Sequence, residues 1–254
     1  MKRYGLIGFP LGHSFSRRYF TEKFKKENKA EEYLNFELVH IGSLPDLVRE
    51  NPDLAGLNVT IPWKEAVMAY LDHIDGEALE IGAVNTIRLR RSGEQTFLEG
   101  FNTDGYGFSA SIAPLLRPWD TQALVLGTGG ASKAIIHVLR RMGIGCLGVS
   151  RTPGEKKEGR VTGYDLLTRE VMEQHTLIVN TTPLGTYPQV TTYPPIPYQW
   201  VTPHHFLFDL VYNPEETSFL SKGRIKGALV KNGYEMLVLQ AEKAYEIWNE
   251  EVIM

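Results

Sequence analysis

At residues 122–132 the chain reads QALVLGTGGAS, an apolar run that leads into a glycine-rich turn. The apolar run predicts a buried strand, and the residues after the turn have the periodicity of an amphipathic helix. A strand, a glycine-rich turn and a helix in this order are typical of dinucleotide sites, where backbone N–H groups and the helix N-terminus approach a pyrophosphate. The predicted nucleotide contacts in this turn are Gly127, Thr128, Gly129, Gly130, Ala131 and Ser132. A purely structural tight turn is the alternative interpretation.

This turn lies in the middle of the chain, which leaves room for a separate domain before it. Strand and helix patterns alternate on both sides of it, and such alternation indicates an α/β fold with largely parallel sheets. We therefore predict two α/β lobes, an N-terminal substrate domain and a Rossmann-type nucleotide-binding domain. The first is assigned to residues 1–103, with a helix at 236–254 packing back on it, and the second to residues 104–235.

Composition narrows the class of protein. The chain has 254 residues with a net charge of -3, which gives no reason to expect nucleic acid or a membrane surface as a partner. Neither a signal peptide nor a membrane-spanning segment is predicted, because the apolar run after Lys2 and Arg3 stops at Gly8. The single cysteine, Cys146, excludes an internal disulfide, and no metal site is predicted. A cytoplasmic protein is the expectation.

Local patterns predict the elements that carry the site. In the first half we expect strands at 4–8, 34–41 and 56–61, helices at 15–28, 44–49 and 63–71, and a hairpin formed by 84–90 and 96–101. In the second half we expect a helix at 105–116, strands at 122–126, 145–149, 177–180 and 206–211, and a long helix at 233–249.

The end of the strand after the turn indicates which nucleotide binds. NAD sites usually place Asp or Glu there to hold the ribose hydroxyls, whereas NADP sites avoid that charge and supply arginine. This chain has Ser150, Arg151 and Thr152 at that point. Arg151 can meet a 2′-phosphate and stack on adenine, so the residues favour NADP. A solvated loop arginine is the alternative.

Two stretches in the first half carry candidate reacting groups. Thr60 lies at a predicted strand end, and Lys64 lies in the first turn of the helix predicted at 63–71, where its charge opposes the helix dipole. Asp104 follows another strand end, near the boundary of the two domains. A lysine held by a carboxylate can give a proton to a carbonyl oxygen as hydride reaches the carbon. Spacing alone leaves a surface salt bridge equally open.

Eight blocks in a fixed order resemble the shikimate dehydrogenase family over almost the whole chain. The first four are GFPLGHSFS at 8–16, NVTIPWK at 58–64, GAVNT at 82–86 and NTDG at 102–105. The others are the GTGGAS turn, NTTPLG at 180–185, DLVY at 209–212 and MLVLQA at 236–241.

This resemblance implies an enzyme that reduces 3-dehydroshikimate to shikimate with NADPH, reversibly, in aromatic amino-acid and chorismate biosynthesis. Lys64 and Asp104 would be the catalytic pair, with Lys64 giving the proton to the C3 carbonyl oxygen. Substrate would be bound by Ser14, Ser16, Thr60, Lys64, Asn85, Asp104, Tyr212 and Gln240. Beyond the glycine turn, the NADP contacts would be Ser150, Arg151, Thr152, Thr182, Leu210 and Gly233.

The chain departs from the family pattern at four places. Ser150 replaces an asparagine, Glu155 occupies the place of a second arginine, and Tyr234-Glu235 replaces a glycine-containing pair before Met236. Lys156 and Lys157 follow Glu155 directly and can compensate for its charge. Leu210 stands where methionine is common.

Several alternatives stay open on the sequence. A shikimate/quinate dehydrogenase using NAD is one, and a catalytically inactive metabolite-sensing protein of the same fold is another. Ser14 or Ser16 can instead cap the helix near Phe15, and Asn85 can be a turn residue. The protein is expected to be a monomer or a homodimer.

Overall fold

A computed structural model describes residues 1–12, 15–93, 95–156 and 159–250, with only the backbone of residues 155 and 156. The chain divides into two compact units. Unit 1 comprises Met1–Thr103 together with Ala241–Met254, and unit 2 comprises Asp104–Gln240. Among the described residues, no helix combines the length and the apolar character needed to cross a bilayer.

Unit 1 is built on a six-stranded sheet with three α-helices before its boundary at Thr103. The strands are β1 (Lys2–Gly8), β2 (Glu31–Glu37), β3 (Leu54–Val59), β4 (His73–Ile74), β5 (Thr86–Ser92) and β6 (Gln95–Phe101). The helices are α1 (Phe15–Lys26), α2 (Leu44–Glu50) and α3 (Gly76–Ile81).

The strands of this sheet lie in the order β2-β1-β3-β5-β6-β4. Pairing is parallel for β1 with β2 and β3, and for β4 with β6, but antiparallel for β3 with β5 and β5 with β6. The sheet is therefore mixed, because β5 runs opposite to the other five strands. Alternate β1 side chains enter two apolar clusters, Ile7 in one and Tyr4 and Leu6 in the other, so both faces of the sheet are covered.

Unit 2 contains a seven-stranded sheet. Its strands are β7 (Gln122–Leu126), β8 (Gly145–Val149), β9 (Gly154–Lys156), β10 (Gly159–Thr162), β11 (Leu177–Asn180), β12 (Phe206–Asp209) and β13 (Leu229–Lys231). Its helices are α4 (Thr103–Ile112), α5 (Gly130–Arg141), α6 (Arg169–Gln174), α7 (Ser218–Ile225) and α8 (Tyr234–Asn249), of which α4 and α8 extend across the unit boundary.

The strand order in unit 2 is β13-β12-β11-β7-β8-β10-β9, and all pairings except β9 with β10 are parallel. From β7 the chain first builds outward through β8 and β10, then crosses to β11 on the other side of β7. The order therefore reverses between β7 and β11. In open α/β sheets, ligands bind beyond the carboxyl ends of strands at such a reversal. The predicted fold class is confirmed.

Two local predictions are wrong. The strand predicted at 34–41 is β2, which begins three residues earlier at Glu31 and ends at Glu37. The helix predicted at 63–71 is a turn followed by a short 3-10 helix, Ala66–Tyr70. In an α-helix the Lys64 carbonyl would accept from Met68, but it accepts from Val84 N at 2.8 Å, while Met68 N turns to Glu65 O. The Lys64 carbonyl is thus bound by Val84, next to β5, in place of the Met68 N–H that an α-helix would require.

Candidate active site

The glycine-rich turn joins β7 to α5. Gly127 has φ 111°, and a Cβ atom there would lie 2.6 Å from Thr181 Oγ1. A side chain is excluded both by the backbone conformation and by the strand end beside it. Gly129 is exposed, and a Cβ on it would meet nothing within 4 Å. No side chain caps the N-terminus of α5, so its first N–H groups are open to an anion.

The other turn residues divide between surface and interior. Thr128 is exposed, while Gly130 and Ala131 begin α5 and are half-buried. Ser132 is buried, and its Oγ donates to the Gly129 carbonyl at 2.6 Å. The Ser132 hydroxyl thereby stabilises the shape of the turn, in addition to any contact that it makes with a nucleotide.

Beyond β8, the backbone forms a small serine-centred turn. Ser150 N donates to Thr162 O at 3.0 Å, and Ser150 Oγ accepts from Thr152 N at 3.2 Å. The turn leaves Arg151 and Thr152 exposed. Burial raises the pKa of Tyr164, and the nearby Arg151 guanidinium opposes this increase in pKa. The sequence-predicted 2′-phosphate ligand is thus an exposed cation at the end of β8, while the side chain of Glu155 lies outside the described residues.

Thr182 lies beside the glycine turn, after β11. Its Cγ2 atom would be 3.2 Å from a Cβ on Gly127, and its Oγ1 donates to Asn180 Oδ1 at 2.6 Å. Asn180 in turn donates to Asp209 Oδ1 at 2.9 Å. The structure therefore brings Thr182 and Gly127 together at the reversal of strand order.

The segment after β12 carries two further predicted site residues. Leu210 N donates to Asn180 O at 3.0 Å, and a Cβ on Gly233 would lie 2.2 Å from Leu210 O. Gly233 is buried, and only a glycine at this position lets the backbone before α8 approach Leu210 so closely. Tyr212 is half-buried, and desolvation raises the pKa of its hydroxyl.

Asp104 and Gln240 lie on two helices that pack closely. Asp104 is buried in the first turn of α4, where a carboxylate is favoured by the helix dipole. One turn further along α4, a Cβ on Gly107 would lie 2.5 Å from Met236 O and 3.1 Å from Gln240 Cβ. The side chain of Gln240 thus begins against the first half of α4.

In unit 1, Thr60 and Lys64 follow β3. Thr60 N donates to Ile7 O at 2.9 Å, and Thr60 O accepts from Trp63 N at 2.9 Å, so Thr60 begins a tight turn. Lys64 is half-buried in that turn and precedes the 3-10 helix. The prediction that Lys64 lies in the first turn of a helix, against the helix dipole, is therefore wrong, because the 3-10 helix begins only at Ala66.

Asn85 is the centre of a buried polar cluster. Its Oδ1 accepts from Thr103 N at 2.7 Å, from Thr103 Oγ1 at 3.2 Å and from Thr86 Oγ1 at 3.1 Å. The side chain is 2% exposed. Asn85 thereby holds the first residue of α4, which directly precedes Asp104. A contact of Asn85 with substrate stays a prediction.

Ser16 lies in the first turn of α1, and Ser14 lies outside the described residues. Ser16 hydrogen-bonds the buried Tyr33 hydroxyl, and burial raises the pKa of Tyr33. Tyr33 donates to Asn58 Oδ1 at 2.8 Å. The serine is therefore tied to β3 through two side chains.

Sequence reasoning assigned no role in the site to Asn58, Thr103, Asn180 or Asp209, although all four are buried polar residues beside predicted site residues. Their signal was available in part. Asn180 and Asp209 each end a buried parallel strand, and the two are register partners. A polar residue at the carboxyl end of an apolar strand is costly to bury unless it is hydrogen-bonded, and so it is a candidate for a functional role.

One unit therefore has a nucleotide-type turn at a strand reversal, and the other has hydroxyl, amide and ammonium groups at strand ends. This combination defines a dinucleotide-dependent oxidoreductase of a small polar molecule.

Comparison with known proteins identifies the family. Residues 6–87 match the family model described as shikimate dehydrogenase substrate binding domain. The shikimate dehydrogenase (NADP(+)) of Clostridium beijerinckii is 40% identical, and the alignment covers 98% of this chain and 93% of the relative. The corresponding protein of Desulforamulus reducens is 35% identical, with coverages of 96% and 88%. The chain belongs to the shikimate dehydrogenase family.

Solved structures agree with this assignment. The crystal structure of shikimate 5-dehydrogenase from Thermus thermophilus in complex with NADP(H) and shikimate superposes with a TM-score of 0.83 and 31% identity. The match covers 98% of this chain and 94% of that chain.

Proposed function

We propose that this protein reduces 3-dehydroshikimate to shikimate with NADPH, in a reversible reaction. The observation that carries the proposal is the similarity to NADP-dependent shikimate dehydrogenases over 98% of the chain, together with the open turn and Arg151 in unit 2. The presence of Lys64 and Asp104, the expected catalytic pair, favours an enzyme over a catalytically inactive protein of the same fold.

The described residues suit NADP. The space next to Gly129 and the uncapped start of α5 fit a pyrophosphate. Arg151, exposed after β8 with no carboxylate at Ser150, suits the 2′-phosphate. Leu210 and Gly233 would hold the nicotinamide end, and Thr182 would contact the cofactor beside the glycine turn. The bound cofactor would supply hydride to the carbonyl carbon of the substrate.

Lys64 supplies the proton in the proposed mechanism. It gives a proton to the C3 carbonyl oxygen of 3-dehydroshikimate as the carbon is reduced, so the carbonyl becomes the alcohol of shikimate. Asp104 would be the second member of the catalytic pair, as the resemblance implies, and would bind a ring hydroxyl of the substrate. In the reverse direction Lys64 takes the proton back from the same oxygen.

The remaining predicted residues bind and orient the substrate. Ser14 and Ser16 would hold its carboxylate, and the other expected ligands of its hydroxyl groups are Thr60, Asn85, Tyr212 and Gln240. The cluster around Asn85 supports this assignment, because a buried network that is already hydrogen-bonded holds its members in one geometry. Such preorganisation removes part of the entropic cost of positioning.

The function is tested by mixing the purified protein with shikimate and NADP and following the absorbance of the reduced nicotinamide. Parallel reactions contain quinate in place of shikimate, and NAD in place of NADP. We expect turnover to be fastest with shikimate and NADP. Comparable turnover of quinate with NAD would make the protein a shikimate/quinate dehydrogenase. No turnover from neutral to alkaline pH would favour a metabolite-sensing role.

Three further features stay predictions. The first is that residues 1–103 with 236–254 form the substrate domain and residues 104–235 the NADP-binding domain. The second is the monomeric or homodimeric state, and the third is the cytoplasmic location. Sedimentation equilibrium decides the second.

A further inference from the structure

A buried carboxylate lies behind the proposed NADP site without belonging to it. Asp209 ends β12 with none of its surface exposed, and its register partner Asn180 ends the neighbouring strand β11. Both strands end at the edge of the sheet where the glycine turn follows β7.

Three neutral donors surround this carboxylate. Asp209 Oδ1 accepts from Asn180 Nδ2 at 2.9 Å and from Val211 N at 3.0 Å, and Oδ2 accepts from Thr217 Oγ1 at 2.6 Å. A carboxylate is an acceptor at both oxygens, so it matches this set of donors without an unpaired group. Burial among neutral groups raises the pKa of Asp209 to about 6.

The contact between Asp209 and Asn180 helps to fix the orientation of the Asn180 amide. Because Nδ2 donates to Asp209, Oδ1 points the other way and accepts from Thr182 N at 3.0 Å and from Thr182 Oγ1 at 2.6 Å. With an apolar residue at position 209, Asn180 Nδ2 would keep only a longer contact, to Leu184 O at 3.5 Å, so the amide would be held less firmly.

The contact of Asp209 with Val211 N holds the segment that follows β12. Val211 lies between Leu210 and Tyr212, the two predicted site residues after β12. Leu210 N is itself bound to Asn180 O at 3.0 Å. One side chain therefore fixes two segments, 181–184 and 210–212, that come from neighbouring strands.

We propose that Asp209 is a positioning residue for NADP: through Asn180 it orients Thr182, and through Val211 N it sets the segment 210–212. The proposal rests on the proposed function, since it takes both segments to contact bound NADP. Asp209 itself touches no substrate or cofactor in it.

The test measures the Kd of NADP by isothermal titration calorimetry on the full chain, with stability from urea unfolding for each variant. Asp209→Leu removes the acceptors, and we expect the Kd to rise about tenfold or more. Asp209→Asn should restore affinity to within about threefold, because its Oδ1 can accept from both Asn180 and Val211 while its amide donates to Thr217. Rescue by this variant would show that the affinity for NADP depends on the hydrogen bonds of residue 209 and not on its charge.

Two further variants separate positioning from stability. Asn180→Ala interrupts the path to Thr182 and should also raise the Kd, so it tests the proposal even where Asp209→Leu fails to fold. Thr217→Val removes the third donor and the side-chain cap of α7, in which Thr217 accepts from Leu220 N at 3.3 Å. It should lower stability with little change in the Kd of NADP.

The outcomes distinguish this proposal from the function on which it rests. If the wild-type protein binds NADP and both Asp209→Leu and Asn180→Ala bind it equally well, the positioning role is wrong and the function stands. An affinity that falls in proportion to stability in all variants, Thr217→Val included, also overturns the positioning role. If the wild-type protein binds no NADP, the proposed function fails and this proposal fails with it.

Discussion

At the scale of single residues, the polar side chains of this protein do two different tasks. Some, such as Arg151, are exposed where a ligand is expected, and others, such as Asn85 and Asp209, are buried and hold backbone segments in place. The second group is hydrogen-bonded on several sides, so a change there alters geometry as well as charge.

Lys64→Ala is expected to lower kcat by about 10²–10⁴-fold with a smaller change in KM, because a proton donor acts mainly in the transition state. Steady-state kinetics with shikimate and NADP measures both. Lys26→Ala is the matched control, since Lys26 is exposed at the end of α1. A tenfold rise in KM at unchanged kcat would instead make Lys64 a binding residue.

Arg151→Ala is expected to raise the KM of NADP by about 10–100-fold and to change that of NAD little. The reason is that a charge-assisted hydrogen bond to the 2′-phosphate, worth about 1.5–3 kcal/mol, is available only in NADP. Arg169→Ala, at an exposed position of α6, serves as the control. Equal effects on both cofactors would contradict a role in phosphate recognition.

The carboxyl of Asp209 should make stability depend on pH. Its pKa is about 6 in the folded protein against an ordinary 3.8, so the folded state favours the protonated form. This contribution is present below pH 3.8 and lost as pH rises through 6, a change of about 3 kcal/mol. Asp209→Asn lacks it. Urea unfolding should show the variant gaining stability relative to wild type between about pH 4 and 7; a difference that is constant with pH would contradict the assignment.

At the scale of elements, the strand–turn–helix unit at 122–141 could be predicted from the sequence because its signals are local. The apolar run, the glycines and the helical periodicity each act within a few residues. The segment 63–71 could not, because the Lys64 carbonyl is bound by Val84, a residue distant in sequence. The same holds for the contacts of Asn85 with Thr103 and of Asp209 with Asn180, which depend on the register of strands.

The two glycines of the turn should respond differently to alanine. Gly127→Ala forces a side chain into a positive-φ position against Thr181, so we expect a loss of about 1–3 kcal/mol in stability. At Gly129 φ is -86° and the space is open, so Gly129→Ala should leave stability within about 0.5 kcal/mol. Its methyl group would instead occupy the space of the pyrophosphate and weaken NADP binding. Urea unfolding and calorimetry on both variants would show the contrast, and equal stability losses would contradict it.

At the scale of the whole molecule, α8 contributes to both compact units. Met236 belongs to an apolar cluster of unit 2, whereas Ala241, Ala244 and Trp248 complete a cluster of unit 1 around Tyr4 and Phe20. Trp248 stacks on Tyr4 with ring centroids 4.8 Å apart and donates from Nε1 to Ile87 O at 3.0 Å. Unit 1 is therefore complete only with residues that follow unit 2 in the chain.

Trp248→Ala is expected to destabilise unit 1 by about 3–5 kcal/mol, because it leaves a cavity in an aromatic cluster and removes the hydrogen bond to Ile87 O. Trp119→Ala is the control, since Trp119 is 48% exposed in unit 2 and its loss should cost less than about 1 kcal/mol. Hydrogen exchange of backbone amides in β1 and β3 reports on unit 1 directly. Unchanged protection of these amides in Trp248→Ala would show that α8 is not needed for the cluster.

The contribution of α8 to both units also affects how the nascent chain folds during translation. Residues 1–103 are translated first, but the side chains that close their aromatic cluster are translated after residue 240. The cluster of unit 1 therefore stays incomplete until Trp248 has been synthesised. We therefore expect nascent unit 1 to expose apolar surface for longer than its early position in the chain suggests.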